Sequence, residues 1–136
     1  MSWSKSLIKL ATYEVEVLQK RLSEIVDRRV AVETRLLALE TEGVMEAAFA
    51  ADDARAGFYR VGYQEGLKMR KAACQTQIDL ILVEEQGARD ALAEAFESQK
   101  KYEQVAESAR LMELKAQGRR ESAALDELGL RKAARG

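Results

Sequence analysis

Apolar residues recur along the first third of the chain in alternating steps of three and four. Ile8, Ala11, Val15, Leu18, Leu22, Ile25, Arg29, Val32, Leu36 and Leu39 follow this rule, and Arg29 is its charged member. A helix of 3.6 residues per turn gathers such positions into one stripe, and a stripe this long is the seam of a coiled coil. A charged residue in a seam costs stability but can fix register. Its long stem can bury while its head reaches water. Beside the stripe, Glu16 with Lys20 and Glu24 with Arg28 stand four apart, in the orientation that supports a helix.

A second stripe runs through the other half of the chain at strict sevens: Leu67, Cys74, Ile81, Ala88, Ala95, Tyr102, Ala109, Ala116, Ala123 and Leu130. The alternate seam position holds Ile78, Leu92 and Ala106, but also Glu85, Gln99 and Glu113. This seam is narrow and rich in alanine. Small residues let helix axes approach, yet they bury little area at about 25 cal/mol per Å². Such a hairpin is marginal alone and gains from a partner by mass action.

Between the stripes, the segment 57–66 reads GFYRVGYQEG, with Gly57, Gly62 and Gly66. Each glycine disfavours helix by up to ~1 kcal/mol relative to alanine, and Gly57 is placed to end a helix at its C′ position. Gly43 marks a weak point further back. The pattern therefore predicts an all-α chain of one domain over residues 1–136. Its two long helices form an antiparallel coiled-coil hairpin, with helix one at about 4–56, a turn within 57–66 and helix two to about 133. At 1.5 Å per residue the helices would be roughly 80 and 105 Å long. The longer second helix should project past the N-terminus.

Composition agrees with helices. Ala, Glu, Lys, Leu and Arg make 77 of 136 residues, and there is no proline. The net charge of −1 argues against nucleic acid as the main partner. The charge is uneven: residues 110–136 carry seven basic and four acidic groups, and residues 43–109 carry eight and twelve. No apolar run approaches the ~20 residues that span a bilayer, no signal-peptide core stands at the N-terminus, and one cysteine builds no disulfide framework. A soluble cytoplasmic protein is expected.

Candidate chemistry is sparse. The absence of histidine removes the commonest general base and metal ligand. Cys74 lies on the seam and reads as a small core residue. The acidic pairs Asp52–Asp53 and Glu84–Glu85 point about 100° apart on a helix and read as solvated faces. No phosphate loop, metal site, cofactor site or enzyme activity is expected. The aromatics say more. Phe49, Phe58 and Tyr63 could close the hairpin's tip as an apolar plug, or some of the terminal aromatics could anchor a partner.

Particular motifs carry a resemblance. The N-terminal SLIKLATYEVEVLQKRLSEI resembles the opening of the flagellar FliJ family. VGYQEGLKMRKAACQTQI resembles that family's mid-chain N-Y-Q-x-F-I-x-x-L-x-x-A-I stretch through Tyr63, Gln64, Leu67 and Ala73. RDALAEAFESQKKYEQVAE and the ending LDELGLRKAARG, through Leu125, Asp126, Glu127, Arg131 and Arg135, resemble its later patterns. The similarity covers nearly the whole chain, in order and spacing.

The resemblance implies a stalk-like antiparallel coiled coil in flagellar type III protein export, peripheral to the inner membrane at the flagellar base. It implies three kinds of partner: the hexameric export ATPase FliI, the export gate protein FlhA, and export chaperones. Reaction chemistry and cofactors are not implied. Leu39 matches a gate-contact position, but Glu42 and Glu46 replace the tyrosines that usually follow it. Gly66 and Arg70 replace the family's aromatic and leucine. The gate surface therefore either differs or shifts onto Phe58, Tyr59 and Tyr63, beside the matching Ala73. The basic end, with Arg119, Arg120, Arg131 and Arg135, is expected at the ATPase. The alternatives are a type III secretion chaperone, a YscO-like stalk, or a generic scaffolding coiled coil built as a parallel dimer.

Overall fold

The computed structural model describes residues 2–52 and 56–135, and the side-chain environments of residues 3–49 and 59–135. The fold is all-α. Helix α1 runs Ser2–Asp52 and helix α2 runs Ala56–Arg135, with no strand among the described residues. The chain divides into two compact units. One takes Glu16–Ala93, and the other takes Met1–Val15 with Glu94–Gly136.

The turn is not where glycine content predicts it. The segment 57–66 lies inside α2, and α1 ends at Asp52 rather than near 56. Propensity penalises glycine in a helix but does not forbid it, and tertiary contacts override it. Those contacts are visible here. Tyr63 reaches back to Glu42 on α1, with its hydroxyl donating to Oε1 at 2.7 Å. Four residues on, Leu67 is buried against α1 at Gly43. Gly43 is no kink. A Cβ built there would stand 2.7 Å from Leu67 Cδ2, so its missing side chain makes room for the partner helix.

In the Glu16–Ala93 unit the two helices form an antiparallel hairpin. Arg28 and Arg29 meet Glu84 and Glu85, while Glu42 meets Tyr63. The core is Ile25, Val32, Cys74, Ile78, Ile81 and Ala88, with Leu22, Leu36 and Leu39 packed against it. These are the seam residues that the sequence pattern selects on both stripes.

The polar exceptions in the two stripes find each other. Arg29 Nε donates to Glu85 Oε1 at 3.0 Å, and Arg29 Nη1 donates to Glu33 Oε1 at 2.9 Å. Arg89 adds an ion pair to Glu85 Oε2 at 3.7 Å. Glu85 is buried, so its placement on a solvated face is corrected. Its neighbour Glu84 is exposed, but it receives Arg28 Nη2 at 2.6 Å. Arg28 therefore spends its charge across the seam rather than on Glu24. The carboxylates of Glu33 and Glu85 hold the Arg29 guanidinium above its ordinary pKa. No buried side-chain polar atom among the described residues lacks a partner, as a buried ionic group requires.

In the second unit, Ser4, Ala11, Val15 and Ala95 are buried. Gln99, another polar seam position, donates through Nε2 to Thr12 Oγ1 at 3.1 Å. Ala109 and Ala116 are the last half-buried positions of α2, and every side chain over 117–135 is exposed. Glu113, Ala123 and Leu130 keep the heptad spacing without a seam to enter. The pattern continues in sequence after its partner has run out.

Two outcomes follow for thermal and urea unfolding followed by helical circular dichroism. Ile25→Ala should cost about 2–4 kcal/mol, the range for truncating a buried aliphatic side chain. Arg29→Ala should lower the midpoint, because it leaves Glu85 buried without its main partner. Arg29→Leu combined with Glu85→Leu should recover or exceed it. Equal losses in the single and double variants would remove the pairing from the account.

Candidate partner-binding surface

No three or more His, Cys, Asp or Glu among the described residues are grouped so as to hold a metal ion. Cys74 is buried in the seam. No helix among the described residues is long and apolar enough to cross a membrane. What the molecule offers is surface, and its residues fall into three groups.

The first group surrounds the start of α2. Tyr59 is 76% exposed, and Ala73 is exposed. Tyr63 is half-buried: its hydroxyl is held by Glu42, and the Arg70 guanidinium lies 6.0 Å from its ring centroid. The Glu42 hydrogen bond, with lesser help from burial, raises the Tyr63 pKa above its ordinary value. The Phe58 side chain lies outside the described residues. Phe49 is 64% exposed, so it does not serve as the buried plug expected of it. Leu39 is half-buried against the core rather than presented outward.

The second group is basic. Arg119, Arg120, Arg131 and Arg135 all lie in the exposed stretch 117–135. Arg120 pairs with Glu113 at 3.2 Å and Arg131 with Glu127 at 2.9 Å, both along α2 itself. Arg119 and Arg135 form no ion pair among the described residues. These pairs are solvated and contribute little to stability.

The third group was missed by the sequence reading. On α1, Val30, Thr34, Leu37, Thr41, Val44 and Ala48 repeat in steps of four and three and are all exposed. Thr34 and Thr41 donate their hydroxyls to the carbonyls of Val30 and Leu37 at 2.8 and 3.0 Å. Each threonine thus satisfies its polar atom on its own helix, which makes the stripe less polar than its composition suggests. A shallow groove lined by Thr34, Leu37, Ala38, Thr41 and Met45, with Glu42 and Glu46 also in its wall, runs along it. Val30, Leu37 and Val44 at sevens were the available signal. A search for one seam per helix passes over a second one.

No protein-family model matches the chain, and no solved structure does. Two curated relatives do. The Flagellar FliJ protein of Caulobacter vibrioides, in strain NA1000 / CB15N and again in strain ATCC 19089 / CIP 103742 / CB 15, is 50% identical over 134 residues. The match covers 98% of this chain and 96% of each relative.

If the α1 outer stripe is true surface, Leu37→Ser with Val44→Ser should change the unfolding free energy by no more than about 0.5 kcal/mol per site. A loss several times larger in urea titration would mean the stripe is packed.

Proposed function

The chain belongs to the flagellar FliJ family, and from that premise we propose that it is a non-catalytic stalk of the flagellar type III export apparatus. In this reading it binds the hexameric export ATPase at one end and the export gate at the other, and promotes assembly of the ATPase ring. The observation that carries the ATPase end is the stretch 117–135: a helix with every side chain exposed, holding Arg119, Arg120, Arg131 and Arg135. A solvated helix without a seam partner has unspent surface, and cations on it steer an acidic partner.

A helix is only ~10 Å across, which suits the central opening of a ring. Tyr59, Tyr63 and Ala73 suit the gate end, because they lie near the start of α2 and far in sequence from the basic stretch. The protein would work in the cytoplasm, at the membrane only through its partners. Binding of export chaperones belongs to the same reading, and the exposed α1 stripe supports it as a face for an apolar helix.

Co-purification with the flagellar ATPase, with ATP hydrolysis measured with and without this chain, tests the proposal. Reversing Arg119, Arg120, Arg131 and Arg135 to glutamate should weaken capture of the ATPase and abolish its stimulation, with helicity unchanged. Undiminished capture would move the ATPase contact elsewhere. Tyr59→Ala with Tyr63→Ala should leave ATPase capture intact while export falls.

A further inference from the structure

The first turns of α2 hold two glycines that packing does not require. A Cβ at Gly62 or Gly66 would meet nothing within 4 Å, whereas one at Gly43 would collide with Leu67. Gly43 is therefore explained by close approach, and the other two are not. Each lowers the local helix–coil equilibrium about fivefold relative to alanine.

The same stretch is lightly packed. Over residues 59–66 no side chain is buried, and only Tyr63 and Gly66 are half-buried. Burial begins at Leu67 and continues through Cys74, Ile78 and Ile81. Among the described contacts, the Tyr63 hydroxyl on Glu42 is a long-range hydrogen bond that ties this stretch to α1, and Arg70 lies over the ring from within α2; Tyr59 also has a partner. A segment with few buried apolar contacts, solvent-facing backbone bonds and weak helix formers belongs to the low-stability end of a structure.

We propose that residues 59–66 are a latched helix. They open and close as a unit against a fixed body that starts at Leu67, and the Tyr63–Glu42 hydrogen bond is the latch. Opening turns the start of α2 into a pliable connection and frees Tyr63. A partner that prefers the freed tyrosine shifts the equilibrium by its differential affinity for the two forms. The inference rests on glycine placement, burial and the Tyr63–Glu42 hydrogen bond, so it stands apart from the assignment of any partner.

Amide hydrogen exchange by mass spectrometry on the full chain tests it, with protection factors compared for peptides covering 59–66 and peptides from Leu67 to Ala95. The first group should exchange at least tenfold faster than the second. Gly62→Ala with Gly66→Ala should raise protection of 59–66 up to roughly twenty-five-fold, two fivefold steps. Tyr63→Phe should lower it there and leave the Leu67–Ala95 peptides unmoved. Equal protection of the two groups in the native chain would overturn the proposal. So would a Tyr63→Phe effect spread evenly over both, which would make the tyrosine a general packing residue, or glycine replacements without effect.

Discussion

One contact sets the terms for the hairpin unit: the Arg29 guanidinium on the Glu85 carboxylate, 3.0 Å apart inside a seam otherwise filled by aliphatic and alanine side chains and Cys74. Apolar seams attract without choosing. The α2 stripe repeats at strict sevens, so sliding it by one heptad would still put Ile81 or Ala88 against α1. A half-buried charge does choose, because any slipped pairing strands it against Ile78 or Leu92. Buried ionic groups are weak sources of stability, and fixing register is the role best attested for them.

The helices themselves were plain in the residues. The three-four rhythm from Ile8 to Leu39 names the face of α1 that is buried, and the strict sevens name that of α2 from Leu67 to Ala95, beyond which Tyr102, Ala123 and Leu130 are exposed. The pairing was not plain. Arg29 and Glu85 each stand out as an exception on their own stripe, but a one-dimensional pattern holds no information on which residue of one helix lies opposite which of the other. Gln99 and Thr12 repeat the lesson in the second unit. Glu85 also shows why adjacent acids are poor witnesses. Glu84 and Glu85 differ by one position and by about 100° on the helix, enough to put one in solvent and one in the seam.

The turn was misread for a related reason. Gly57, Gly62 and Gly66 are correctly weighed as poor helix formers, yet local cost decides only where tertiary contact is absent. Tyr63 on Glu42 and Leu67 against Gly43 supply that contact. The glycine penalty then does not produce a break, and α2 runs through all three. The candidate surfaces divide along the same line. The arginines of the basic end were findable because charge is visible in a sequence. The outer stripe of α1 was hidden, because valine, threonine and alanine at an exposed heptad spacing look like any helical filler until the true seam is known.

The register is tested most directly by disulfide trapping within the hairpin unit. Gly43 lies against Leu67, and the native Cys74 stands one heptad beyond Leu67 on the same stripe. In a chain carrying Gly43→Cys, Leu67→Cys and Cys74→Ala, mild oxidation should link the two introduced thiols within a monomer. In a chain carrying Gly43→Cys with Leu67→Ala, which relieves the contact at position 43, the thiol there should not link to Cys74, and that link should emerge once Arg29→Leu and Glu85→Leu are added. Comparable yields for the two links with Arg29 and Glu85 intact would contradict a single register held by that pair.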